Sequence, residues 1–421
     1  MQILTWIIRA ILATTIIAVM ASCTMLGLNY ASLDVDNKPN PQPSIPDPFD
    51  REAAKSTLET ELYGPWPENL PVSASSTRII DANYLNGQGT LEELTLTIGE
   101  GASARTFPIV IALPNKARIE AVPIIISQTF SDNCSVFPDL PVSDAGGNPC
   151  KGSRMDSPMG FVATQIFGTY IARAPVERYF KAGFAYASMP GYGFIPDRNG
   201  AAQQAMQGMA PGPQLTSTLM AWAYAYHAAA GIFMDDTRVD GTAIIAAGHS
   251  RYGKAALIAA AWSENIHGAI AHQSGFAGGS SSRSKTGETL QRMAKSYPHW
   301  VRPGLSDDLD AGQVLTLDQH FLLALSAPKP VFLGNGRRDV WSDPNSSFRM
   351  AQAADVVHKQ LGAVGLTATN MREFKPKDTL AYWLRVGGHS IVSEDIDAFI
   401  AFASAHFSDL GHSASALQTS E

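Results

Sequence analysis

A serine at 250, an aspartate at 339 and a histidine at 389 occur in an order that could support covalent catalysis. A serine hydroxyl is a weak nucleophile until a base takes its proton, and the base works when an acid orients it. Around the serine the chain reads Gly248-His249-Ser250-Arg251-Tyr252-Gly253-Lys254, after a short apolar run with Ile244 and Ile245. An Ala/Leu-rich helical pattern follows directly. Strand, sharp turn with serine at the apex, then helix is the layout of a nucleophile elbow, where the next backbone N–H is free to hold an oxyanion. The usual G-x-S-x-G spacing is not fully met, because Tyr252 stands where the last glycine would be and Gly253 comes one position later. A strand–helix junction with Ser250 as a helix cap is the plainer alternative.

In the α/β-hydrolase layout the nucleophile, acid and base follow in that order, each on a loop after a strand. Among ten histidines, His227 and His249 precede the serine. His267 and His272 flank a strand and read as structural, and His299, His320 and His358 sit in loop or helix contexts. His406 and His412 come too late to follow a strand. His389 alone follows a strand, in a Gly-Gly-His turn ahead of the last helix, so it is the expected base. Asp339 ends the preceding strand and is the expected acid. Asp343, in Trp341-Ser342-Asp343-Pro344, is the rival, although Asp before Pro often just starts a turn. Gln273 follows the strand after the elbow and cannot carry the charge an imidazolium needs.

The elements that must position these residues alternate between strand and helix. Apolar runs at Glu92–Ile98, Phe107–Leu113, Val122–Ser127, Phe184–Ser188, Gly268–His272, Pro330–Gly334 and Ala381–Val386 read as strands. Helices are expected at Arg51–Leu62, Gln214–Phe233, from the elbow to Trp262, at Asn345–Leu361 and at Glu394–His406. Such alternation predicts a three-layer α/β sandwich with a mostly parallel central sheet.

The chain has 421 residues, 45% hydrophobic and 16% charged, which calls for a sizeable core. A net charge of −7 gives no reason to expect nucleic-acid binding. The amino terminus carries Arg9 and a short apolar run ending in Met20-Ala21-Ser22-Cys23, which reads as a signal peptide with a bacterial lipobox. Residues 1–22 are then the signal and 23–50 a lipidated terminus and Pro-rich linker. Residues 51–410 form the catalytic domain and 411–421 a disordered tail. A plain secretory signal cut near Ala21, or an uncleaved anchor, is the alternative. The protein is expected to be exported, periplasmic or anchored to the outer membrane through Cys23, and otherwise without membrane contact. Cys134 and Cys150 share a Pro/Asp/Gly/Ser-rich loop and are expected to form a disulfide, two free thiols being the alternative. No spacing suggests a metal site, and the chemistry calls for no cofactor.

The segment Gly248-His249-Ser250-Arg251-Tyr252-Gly253-Lys254 resembles the G-C/H-S-R-x-G-K signature of the glucuronoyl esterases, carbohydrate esterase family 15. The resemblance continues through Gln273-Ser274-Gly275, Gly287-Glu288-Thr289, Pro298-His299-Trp300, Asp318-Gln319-His320, Asp339 to Pro344 and Gly388-His389. It implies an α/β-hydrolase fold and, acting as a monomer, hydrolysis of glucuronic acid esters in plant cell-wall polysaccharide through an acyl-enzyme. Carried over, it makes Ser250 the nucleophile and His389 the base, with Arg251 stabilising the oxyanion through backbone N–H and guanidinium. Lys254 and Glu288 would hold sugar hydroxyls, and Trp341 would pack on the glucuronate ring. The departure is the acid: fungal members place Glu where this chain has Gln273, whereas many bacterial members use Asp at the position of Asp339. The alternatives are an esterase for another acyl group or a weakened carbohydrate-binding relative.

Overall fold

A computed structural model describes residues 44–68, 70–209 and 215–408, with residues 9 and 14. Cys23, most of the expected signal segment and linker, and the carboxy-terminal tail lie outside the described residues. Among the described residues ten strands form one sheet: β1 (Val72–Ala74), β2 (Arg78–Asn83), β3 (Gly89–Ile98), β4 (Arg105–Pro114), β5 (Val122–Thr129), β6 (Ala185–Pro190), β7 (Val239–His249), β8 (Gly268–His272), β9 (Val331–Gly336) and β10 (Leu380–Arg385). Their order is β1-β3-β4-β6-β5-β7-β8-β9-β10, with β2 also on β3. The run from β6 to β10 is parallel throughout, and β1 to β4 add an antiparallel wing.

The parallel strands are apolar on both faces because helices cover both. Successive side chains alternate sides. Ile124, Ile126, Ile244, Ala246, Ala269, Ala271, Val331 and Leu333 face one core. Ile125, Ile245, Ile270, Phe332 and Ala381 face the other. The first core is roofed by α1 (Arg51–Leu58), α2 (Thr218–Met234), α3 (Arg251–Trp262), α4 (Gln319–Ser326) and α5 (Pro344–Gln360). On the opposite face lies α6 (Ser393–Phe407), through Ile396, Phe399, Phe402 and Phe407.

Two expectations shift. The Pro-rich stretch joins the fold before residue 51, since Ile45 and Phe49 pack against the first core and the Phe49 ring lies 6.2 Å from that of Phe321. The helix expected over Arg51–Leu62 is α1 followed by a π-helical turn at Glu59–Tyr63. Cys134 and Cys150 are joined in a disulfide within the long β5–β6 connection. Among the described residues no helix is long and apolar enough to cross a membrane.

Candidate active site

Ser250 sits between β7 and α3 with φ 54° and ψ −121°, a left-handed backbone rare for a residue with a side chain. Its own N–H is tied to the His272 carbonyl at 2.8 Å, at the end of neighbouring β8. Such a turn requires strand and helix to touch. A Cβ on Gly248 would lie 2.2 Å from the Tyr252 carbonyl oxygen, and one on Gly253 would lie 3.0 Å from the Gly248 carbonyl oxygen. The close-approach glycines are therefore 248 and 253, which explains the displaced spacing. Tyr252, free of that constraint, is buried against Trp222 and Phe130, ring centroids 5.0 and 4.9 Å away.

His389 follows β10, and its Nδ1 lies 2.7 Å from Oδ2 of Asp339, which follows β9. Asp339 is fully buried. Burial alone would raise its pKa, but the His389 charge and hydrogen bond outweigh that and hold the carboxyl below its ordinary value. An ionised carboxylate accepts only, so Nδ1 carries the proton and Nε2 keeps the free lone pair. Asp343 is engaged elsewhere: it caps α5 by accepting from Ser346 N–H at 3.1 Å and also accepts from the Ser284 hydroxyl.

Beneath His389 lies a buried chain of polar groups that sequence reasoning missed. The His389 ring packs 4.4 Å from that of His249. Nδ1 of His249 is 3.0 Å from Nδ1 of His272, whose Nε2 is 3.3 Å from Asp395. Burial, reinforced by the charges of His389 and His272, lowers the His249 pKa well below its usual value, so that ring is neutral. Asp395 also pairs with Arg385 at 2.7 Å, and Arg385 donates to the carbonyls of Ser390 (2.6 Å) and Gly388 (3.2 Å). His249 and His272 are register partners on β7 and β8, a pairing visible only once the strand order is known.

Arg251 opens α3, where the first N–H groups have no intrahelical partner. Its guanidinium lies between the rings of Phe130 (5.3 Å) and Trp300 (5.0 Å) and pairs with Asp197. Asp197 also accepts from His299 Nε2 at 2.9 Å and Trp300 Nε1 at 2.7 Å. Burial, then the Arg251 charge, pushes His299 down to about 4, so it is a neutral donor. Asp197 gave no signal in the sequence beyond its place in a turn-rich loop.

Lys254 is buried and donates to the carbonyls of Phe276 (2.6 Å) and Ser274. Burial pulls its pKa down to about 8, with the nearby Glu288 carboxylate opposing. Glu288 is itself raised by burial, partly offset by Lys254 and by a hydrogen bond from Trp341. Trp341 is half-buried, with the Arg292 guanidinium 4.9 Å over its ring. Lys254, Glu288 and Trp341 thus form one cluster, but Lys254 already spends two of its three N–H groups on the loop after β8. Among the described residues there is no group of His, Cys, Asp and Glu arranged to hold a metal ion.

The chain is similar in sequence and in fold to known carbohydrate esterases. A family described as glucuronyl esterase, fungi, matches residues 208–362. A carbohydrate esterase from an unknown prokaryotic organism is 28% identical over 364 residues, covering 85% of this chain and 84% of that protein. The 4-O-methyl-glucuronoyl methylesterase of Hypocrea jecorina is 31% identical over a shorter span, 30% of this chain and 28% of that protein. The solved structure of a promiscuous carbohydrate esterase family 15 enzyme from a marine bacterial metagenome aligns over 90% of this chain and all of its own, at 26% identity and TM-score 0.75. The glucuronoyl esterase from Solibacter usitatus shares the fold, with 23% identity, TM-score 0.74 and coverage of 88% and 99%. Through these similarities the chain resembles the glucuronoyl esterases of carbohydrate esterase family 15.

Proposed function

We propose that this chain is a serine esterase that cleaves esters of glucuronic acid, including the 4-O-methyl form, in plant cell-wall xylan and lignin–carbohydrate material. The observation that carries the reading is the 2.7 Å contact between His389 and buried Asp339, with the His389 ring 4.4 Å from that of His249, the residue before the elbow serine. In the first step His389 Nε2 takes the Ser250 hydroxyl proton as Oγ attacks the ester carbonyl. Negative charge gathers on the carbonyl oxygen, where the Arg251 N–H and guanidinium stabilise it. The tetrahedral intermediate collapses, His389 protonates the departing alcohol, and the acyl group stays on Ser250. Water, activated by the same imidazole, then attacks the acyl-enzyme and releases glucuronate and the free serine. Lys254 and Glu288 offer one cation and one carboxylate to vicinal hydroxyls, and Trp341 offers an apolar face to the ring.

Met20-Ala21-Ser22-Cys23 and the Cys134–Cys150 bridge support export to an oxidising compartment, with lipid anchoring at Cys23. The reading of a binding protein without turnover loses its only support, because Gln273 is not the group paired with His389. Turnover of a methyl glucuronate ester should vanish in Ser250→Ala, falling by on the order of 10⁴- to 10⁶-fold, while the unfolding transition is unchanged. Retained turnover would overturn the mechanism. Faster cleavage of acetylated sugars than of glucuronate esters by the wild type would reassign the acyl group.

A further inference from the structure

We infer that Gln273 is a positioning residue for the base, its side-chain amide setting the loop that carries His389. The inference rests on His389 being the base. From the end of β8, Gln273 reaches across the end of β9 to the loop after β10. Its Nε2 donates to the Gly388 carbonyl at 2.8 Å, and its Oε1 accepts from the Ser390 N–H at 3.0 Å. These are the residues on either side of His389. A backbone carbonyl only accepts and a backbone N–H only donates, so the two contacts fix which end of the amide faces which neighbour.

The surrounding backbone is shaped around this side chain. Gln273 is buried and holds φ 49°, a conformation that glycine or asparagine adopts far more readily. Its N–H is bonded to the Gly334 carbonyl at 2.7 Å, which fixes where the side chain starts. Its path is cleared at Gly336, where a Cβ would stand 2.5 Å from Gln273 Nε2 and 2.7 Å from the carbonyl oxygens of Gly387 and Gly388. Observed strain of this kind points to a functional demand on the side chain. An ionised carboxylate in this place has no proton for Gly388 and would set negative charge against that carbonyl. A neutral carboxylic acid reproduces the amide, with O–H to Gly388 and C=O to Ser390. The charged or titratable groups facing this point are His272 and Asp395 behind, Arg385 on the same Gly388 carbonyl, and Asp339 and His389 ahead.

The test compares wild type, Gln273→Glu and Gln273→Met on a methyl glucuronate ester between pH 5 and pH 8.5, reading kcat and KM separately. For both variants at pH 8, kcat should fall about 10- to 100-fold with KM nearly constant, as expected for a displaced catalytic group. The ratio of Gln273→Glu to wild-type kcat should climb as pH falls and the carboxyl takes up its proton. The corresponding ratio for Gln273→Met should stay flat. A Gln273→Glu enzyme that matches the wild type at pH 8, or whose ratio ignores pH, overturns the inference. So does a Gln273→Met kcat within about twofold of wild type, which decides the matter should the Glu variant not fold. An inactive Ser250→Ala beside unaffected Gln273 variants defeats the positioning role alone. An active Ser250→Ala defeats the serine mechanism instead.

Discussion

At the scale of residues, the acid is the point on which sequence and structure can be set against each other. Asp339 faces the base and Asp343 caps a helix, although only four positions separate them. Asp339→Asn should therefore lower kcat by on the order of 10⁴-fold through loss of the correct imidazole tautomer. Asp343→Asn keeps a competent cap and should leave kcat within a few-fold, so steady-state assays of the two purified variants separate the roles. Ser250, Asp339 and His389 were legible because each follows an apolar strand-like run in the order this fold uses. Asp197, Arg385 and Asp395 were not, since their meaning lies in partners 54, 5 and 123 positions away or in the loop they brace. Lys254 was legible as a cation near the site. That it pins the carbonyls of Ser274 and Phe276 was not.

At the scale of elements, Asp395 in the first turn of α6 links three pieces: His272 ending β8, Arg385 ending β10, and the Val392 N–H at the helix start. Its carboxyl would be raised by burial, but His272 and Arg385 bring it down to about 2. A depressed carboxyl stabilises the fold above its unfolded pKa, near 3.9, and that contribution drains away as pH falls through the folded value. Its contribution, about 2 kcal/mol from the shift, should be intact at pH 6 and lost between about pH 4 and pH 2. Thermal unfolding of Asp395→Asn should accordingly start lower at pH 6 and slope less steeply than wild type over that acid range. Parallel strands were readable as continuous apolar runs, yet β1 and β2 were not, being short and largely exposed. Helix α4 escaped for the opposite reason. Every residue of Gln319–Ser326 is buried, so no polar face marks the helical period.

At the scale of the whole molecule, the long β5–β6 connection is stapled by Cys134–Cys150 across 16 positions and leans on the base's loop, where Ile391 N–H bonds the Phe167 carbonyl at 2.9 Å. Replacing both cysteines with serine should cost about 3 kcal/mol in denaturant unfolding, the chain-entropy value for a loop of this size. The kcat of the folded double variant should change far less, because Arg385 and Asp339 still hold the loop and the base. The sheet order has a further consequence for how activity arises. Ser250 follows β7, near the middle, while His389, its proposed base, follows β10, which pairs only with β9 in the described sheet and is its last strand in the chain. A ribosome that has delivered every residue through 340 has made the serine, its elbow and the acid, but no base. On the proposed serine mechanism, hydrolytic power is thus acquired in one late step of synthesis, when the loop after β10 is delivered.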